Sequence, residues 1–331
     1  MNFSQSELPP SKAQLPQKLP VGIFYSDLFL NHDTGINHPE SPDRLRAIVK
    51  TIKNSSLHSP LLWPPFSEAT PAQITRVHTP AYFQLIQKEI GEGKKLLSTG
   101  DTVLSPGTLT AALLASGAGI EACDLVMKRK ISSGFCLVRP PGHHATTSRG
   151  MGFCLLNHIA IAARDLQARH GIKKILIIDF DVHHGNGTQD IFYSDASVFY
   201  YSIHQQGIYP GTGHPRETGE GKGKGFTLNI ELPAGSTDAE AFAAFQNSLI
   251  PAMKQFKPEF ILISAGFDAH HADPIGGLAY TPQGYAAFTQ EIQKLAKEYS
   301  HGRTVFMLEG GYGLPGLAAS VLEVIKAIST P

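Results

Sequence analysis

Two carboxylates and an imidazole alternate at Asp179, Asp181 and His183. They follow Lys174–Ile178, an apolar run that reads as a buried parallel strand. Residues two apart on a strand share one side. The three are therefore expected to project together from the strand's C-terminal end, where open α/β sheets place their ligand sites. Two acids beside an imidazole are costly in an apolar setting unless a cation holds them. Oxygen and nitrogen donors without a thiolate suit zinc or a similar divalent ion. Either acid alone would read as a helix cap, but Asp-x-Asp-x-His-His-Gly-Asn-Gly after a buried strand is a far more particular pattern.

Other strand-like runs end in equally unusual residues. Gly134–Val138 leads into Arg139-Pro140-Pro141-Gly142-His143-His144, Phe260–Ser264 into Ala265-Gly266-Phe267-Asp268, and Thr304–Leu308 into Glu309-Gly310-Gly311-Tyr312. Alone, Asp268 would be a cap and Tyr312 a packed aromatic. In a parallel sheet all these ends lie on one edge, so the residues can converge.

The elements that must position them alternate. Further strands are expected at Val21–Tyr25, Val198–Ile203 and Phe226–Leu232. Helical patterns cover 42–53, 71–90, 108–130, 155–170, 238–256, 282–299 and 314–328. The fold class is α/β, a mainly parallel sheet with helices on both faces. Gly207–Gly225 is a long connection, and its Gly219–Gly225 portion lacks phosphate-loop spacing and reads as a flexible rim loop.

The chain has 331 residues, zero formal net charge and 42% apolar residues. Residues 1–20 are polar, proline-bearing and without the apolar stretch of a signal peptide, and are expected to be a loosely attached arm. Residues 21–331 are expected to form one catalytic domain. Neutral balance gives no reason to expect nucleic acid or a membrane as partner. The three cysteines fit no metal spacing and point to a reduced, cytoplasmic setting. Nothing in the sequence reports oligomeric state. Among fifteen histidines, three adjacent pairs stand out: His143-His144, His183-His184 and His270-His271.

Together, His38-Pro39-Glu40-Ser41-Pro42-Asp43-Arg44-Leu45, Arg139–His144, Asp179–Gly187, Tyr209–Gly213, Ser264–Asp268 and Leu308–Tyr312 resemble the zinc-dependent histone deacetylase family, which includes acetylpolyamine amidohydrolases. The motifs occur in the family's order across roughly residues 20 to 330. The resemblance implies the arginase–deacetylase fold, with about eight parallel strands flanked by helices. It implies one catalytic Zn2+ on Asp181, His183 and Asp268, and an acetylated lysine side chain as substrate. His144 would be general base and then acid, His143 its electrostatic partner, and Asp179 the group orienting His143. Asn186 stands where some members carry aspartate, so His144 should be less basic here, as in the branch nearer eukaryotic class II enzymes. Tyr312 would donate to the substrate carbonyl and to the oxyanion, while Phe153 and Tyr209 would wall a narrow channel with Gly152, Gly310 and Gly311 alongside. Arg44 looks like the arginine of an inner cavity. The family often binds K+ near the zinc, which here would involve Asp179, Asp181, His183 and backbone at Ser202 and Ile203. His184 is expected to bond within the core, and His270 and His271 to lie at the rim or exposed.

Three alternatives stand beside acetyl-lysine hydrolysis. One is an amidohydrolase for small acetylated amines such as acetylpolyamines. Ile275 disfavours it where some relatives carry an acid, although Asp101, Glu217 or Glu220 could serve. Another is a binuclear manganese ureohydrolase, for which Phe267 and Tyr312 do not fit. The last is a non-catalytic acyl-lysine module, which predicts damaged chemistry although His143, His144 and Tyr312 are all present.

Overall fold

The computed structural model describes residues 19–57 and 60–330, so the expected N-terminal arm lies almost wholly outside the described residues. Eight strands form one all-parallel sheet: β1 (Val21–Phe24), β2 (Leu61–Leu62), β3 (Ser133–Cys136), β4 (Ile175–Asp179), β5 (Val198–Gln205), β6 (Thr227–Leu232), β7 (Phe260–Ala265) and β8 (Thr304–Leu308). Their spatial order is β2-β1-β3-β8-β7-β4-β5-β6. This is the arginase–deacetylase arrangement expected from the motifs. β2, absent from the sequence reading, has two residues, too few to show a period.

The helices are α1 (Asp43–Lys53), α2 (Pro71–Ile74), α3 (Pro80–Gly91), α4 (Thr108–Met127), α5 (His158–His170), α6 (Asn186–Phe192), α7 (Asp238–Ala244), α8 (Ile250–Phe256), α9 (Pro282–Tyr299) and α10 (Leu314–Ser329). The single helix expected over 71–90 is two. Pro80 pushes Thr79 out of the α region, and Thr79 then caps a new helix by accepting the Tyr82 N–H. The helix expected from 155 starts at His158, because Asn157 acts as its cap toward the Ala160 N–H. A π turn, Phe245–Leu249, joins α7 to α8 just before Pro251, which has no amide proton to donate four residues back. α4 is long and apolar enough to span a membrane, but 72% of its apolar window is buried inside the protein, which makes it a core helix.

All of Ile175–Ile178 is buried, as a strand covered by helices on both faces requires. The order of the four middle strands decides the site. β3, β8, β7 and β4 are consecutive neighbours. Their C-terminal ends lie within three strand spacings, about 15 Å. The four segments singled out for chemistry leave these four strands.

Three buried histidines are held neutral. Burial pushes His32 and His78 down to about 4 and His158 to about 3. His78 Nε2 accepts the Asn157 N–H at 2.9 Å, which requires a bare ring nitrogen. The unfolded chain takes up protons at these residues near pH 6.5 and the folded chain does not. Their contribution to stability should therefore fall as pH drops from about 6.5 to about 4, by up to about 1.4 kcal/mol per pH unit for each histidine, against an opposite contribution from Asp268 and Glu309, whose carboxyls burial pushes up to about 7. NMR titration of the histidine ring protons checks this. Midpoints near 6.5 for all three would mean that they titrate normally in the fold.

Candidate functional site

β4 ends at Asp179. The Phe180 N–H bonds across to Ser264 O on β7, and residues 181–183 form bends. Strand alternation therefore does not gather Asp179, Asp181 and His183. Turn hydrogen bonds organise them instead: the Asp181 N–H donates to Asp179 Oδ1 at 3.2 Å, and the His183 N–H to Asp181 Oδ1 at 2.9 Å. Asp179 then faces His143, while Asp181 and His183 face Asp268.

Asp181, His183 and Asp268 offer ligand atoms that all lie within 4.8 Å of one another. His183 Nδ1 is 3.1 Å from Asp181 Oδ1 and 3.3 Å from Asp268 Oδ2. One ring nitrogen cannot satisfy both oxygens, and the buried Asp268 Oδ2 makes no hydrogen bond among the described residues. Burial, reinforced by Asp181, pushes the Asp268 carboxyl up to about 7. Burial opposes charge on His183, but Asp181 and Asp268 outweigh it and push the ring up to about 10, and a divalent cation can take the place of that proton. Gly310 closes over it, its N–H donating to Asp181 Oδ2 at 2.8 Å. A Cβ there would stand 2.1 Å from Asp268 Oδ2, so only glycine fits.

The neighbouring imidazoles, with centroids 4.0 Å apart, are pushed in opposite directions. Burial opposes charge on His143, but Asp179, Asp181 and Glu309 outweigh it and hold the ring well above the usual histidine range. Its Nδ1 lies 3.0 Å from Asp179 Oδ2, which also accepts the Tyr200 hydroxyl at 3.1 Å. His144 is held well below that range by burial and then by the charges of His143 and His183. His144 Nδ1 meets Asn186 Oδ1 at 2.7 Å, which keeps the proton on Nδ1 and leaves Nε2 bare. Neighbouring groups with separated pKa values are the mark of an acid–base pair.

These residues end a cavity of about 200 Å³ whose lining includes Gly152, Phe153, Tyr209, Gly310 and Tyr312. Phe153 packs edge-on against Tyr312, and Tyr209 edge-on against His144. Burial and Asp268 raise the Tyr312 phenol well above its ordinary value, so it keeps its proton to donate. Gly311 does not line the cavity; it packs against Leu317 and Phe267, and its carbonyl accepts from Arg44. Arg44 is fully buried beneath, over the Tyr312 ring, and also bonds Glu309 O and Glu40.

The structure separates the candidate acids. Asp101 accepts the Gly152 N–H at 2.7 Å through one oxygen and is exposed at the open end beside Ile275 and Tyr209. Glu217 is occupied by Gln189 and by the Gly213 and His214 amides, and Glu220 accepts the Ser194 hydroxyl. Gly219–Gly225 is not at the rim. It packs against Tyr193–Asp195, in the turn entering β5, because the chain is already descending toward the start of β6. His184 is buried on Thr212 and Gln189, as expected. His271 is exposed, but His270 is buried against Gly316 and so is not a rim residue. Ser202, which pairs with Asp179 in register, bonds His204.

Two acids had no role in the sequence reading. Glu309 accepts the Gly142 and His143 amides and the Ser264 hydroxyl, and burial pushes its carboxyl up to about 7. Asp273 accepts the Tyr312 and Gly313 amides. Glu309 was signalled by its place directly after a buried strand, and Asp273 by a turn-type Asp-Pro-x-Gly-Gly run.

Comparison with known proteins agrees with this geometry. A family model described as the histone deacetylase domain matches residues 38–328. Histone deacetylase 14, chloroplastic, of Arabidopsis thaliana is 42% identical over 308 residues, covering 88% of this chain and 73% of that one. A probable deacetylase of Archaeoglobus fulgidus is 38% identical over 313 residues, covering 93% and 86%. The solved HD domain of HDA15 superposes with a TM-score of 0.88 at 36% identity, covering 94% of this chain and 90% of that one. With its parallel sheet and the segments that converge at one edge of it, the chain belongs to the histone deacetylase family.

Proposed function

We propose that this protein is a zinc-dependent amidohydrolase that removes acetyl groups from the ε-amine of acetyl-lysine in proteins or peptides. The observation that carries the reading is one meeting of groups at the buried end of a narrow cavity: the closely grouped Asp181–His183–Asp268 donors, a neutral His144 and the Tyr312 phenol. Asp181, His183 and Asp268 would hold the ion, and their donor set suits zinc. Zinc there would polarise the acetyl carbonyl and lower the pKa of water towards ~7. His144 Nε2 takes the proton of the attacking water and returns it to the departing amine. Asn186 keeps the ring in the tautomer that makes this possible. Tyr312 donates to the carbonyl oxygen as it gains charge, with the His143 cation close by. Phe153 and Tyr209 pack along the aliphatic stem. Cys154 is fully buried and its thiol is pushed well above the ordinary range, which removes it as a nucleophile. A K+ ion would be held by Asp179, Asp181 and His183 together with backbone at Ser202 and Ile203.

A small acetylated amine is the second reading, favoured by Asp101, an exposed carboxylate at the cavity mouth that can attract a remote ammonium. Ile275 beside it offers such a group nothing. Turnover of acetyl-lysine peptides and of acetylpolyamines, with zinc measured on the same sample, tests both. A higher kcat/KM for peptides is expected. Preference for acetylpolyamines would support the second reading, and no turnover of either by zinc-loaded protein would sink deacetylation. A linear hydroxamate, reaching the metal between Phe153 and Tyr209, should inhibit. Full activity at saturating hydroxamate would argue against an accessible metal.

A further inference from the structure

The turn that carries Tyr312 has little stiffness of its own, being built with Gly310, Gly311 and Gly313. It is held from outside. Before Tyr312, the Gly310 N–H bonds Asp181, Gly310 O accepts the Phe267 N–H, and Arg44 donates to Gly311 O. At Tyr312 itself and just after it, the backbone is held by Asp273. Its Oδ2 accepts the Tyr312 N–H at 2.6 Å and the Gly313 N–H at 2.9 Å. Its Oδ1 accepts the Ile275 N–H at 3.0 Å and the Gly276 N–H at 3.4 Å. One carboxylate thus joins two loops that both line the cavity, one through Ile275 and one through Tyr312. The loops meet closely: a Cβ on Gly313 would stand 2.7 Å from Ala272 O. Asp273 itself is not part of the cavity lining, so any effect it has on reaction must pass through the residues it holds.

We infer that Asp273 is a positioning residue for amide hydrolysis: its carboxylate fixes the Tyr312 backbone, and with it the phenol, relative to Asp268 on the same segment. The inference rests on the reading of Tyr312 as oxyanion donor. Hydrogen bonds to an ionised acceptor are about twice as strong as neutral ones, and two of them converge on the residues that aim the phenol. A reacting group displaced by about 1 Å costs on the order of 10² in rate. Phe153 touches the clamp only through the Tyr312 ring, and Ile275 lines the cavity, so substrate binding should be disturbed less than the chemical step.

The test uses Asp273→Ala and Asp273→Asn, each alone and combined with Tyr312→Phe. The readouts are kcat, KM, zinc content, melting temperature and hydrogen exchange of residues 309–314. Asp273→Ala should lower kcat by about 10- to 100-fold, with a much smaller change in KM and with zinc content unchanged. Asp273→Asn keeps one acceptor oxygen and should fall between. On the Tyr312→Phe background, Asp273→Ala should add no further loss, because the donor it aims is already gone. Amide exchange at 309–314 should quicken. Wild-type kcat in Asp273→Ala, or a loss that multiplies in full with Tyr312→Phe, would overturn the assignment. If wild-type protein turns over no acetylated amine, the deacetylase reading has failed. The exchange measurement then decides the clamp alone, and undiminished protection in Asp273→Ala rejects it.

Discussion

Replacing Asp268 by alanine is expected to remove nearly all bound zinc and all measurable turnover. The two oxygens of this carboxylate have separate tasks. Oδ1 accepts the Val182 N–H at 2.9 Å and holds the bend after β4, while Oδ2 is buried without a hydrogen bond among the described residues and faces His183. Alanine removes both, so some loss of melting temperature should accompany the loss of metal. Asp268→Asn separates the two, since its amide oxygen can still accept from Val182 while the charge is gone. Even residues that only orient a ligand cost 10- to 100-fold in metal affinity when mutated. Loss of a ligand should cost at least ~10². Elemental analysis of both variants should show zinc falling from one ion per chain to a small fraction, with Asp268→Asn still folded. Full zinc retention would falsify the ligand assignment. Two ions per wild-type chain would instead favour a binuclear hydrolase.

Tyr312→Phe is expected to lower kcat by about 10²–10³, the usual cost of one oxyanion donor, and to leave zinc content unchanged. The oxyanion carries more charge than the carbonyl it forms from, so the phenol's hydrogen bond strengthens along the reaction. KM should therefore change far less than kcat. Fold stability should survive, because the ring keeps its packing on Phe153 and Arg44 and loses one hydroxyl. A merely packed aromatic would give the opposite pattern, with normal turnover and at most a small shift in melting temperature. Measuring kcat, KM, zinc and melting temperature on one preparation separates the cases.

The convergence of these groups was legible because each follows an apolar run long enough to read as a strand, and parallel strands end on one edge. Their separation across the sheet was not. Nothing in the residues of β8 says that it inserts between β3 and β7, since strand order is settled by packing across the whole sheet. The manner in which Asp181 and His183 come together was also misread, because bends have no period and their hydrogen bonds cannot be seen as a pattern. Asp273 and Glu309 act on backbone amides of distant segments, so residue type alone could not assign them. Gly311 shows the same limit: the motif put it beside the cavity, but the turn aims it at Phe267 and Leu317.

The place of β8 in the sheet has a consequence for how the molecule is assembled. Without it, β2-β1-β3 and β7-β4-β5-β6 are separate sheets, each with an open edge where β8 would lie. β8 is the last of the eight strands in chain order, so a growing chain keeps those two edges unpaired until it is made, and open edges invite wrong partners. The acids and imidazole assigned to the metal all leave β4 and β7, within one half. His143 and His144 leave β3 in the other half but bond Asp179, Asn186 and Thr188 of this one without help from β8, and Tyr312 follows β8. During synthesis the metal ligands and both histidines are therefore made before Tyr312, and the open sheet edges and the oxyanion donor alike wait on the segment that starts with Thr304–Leu308.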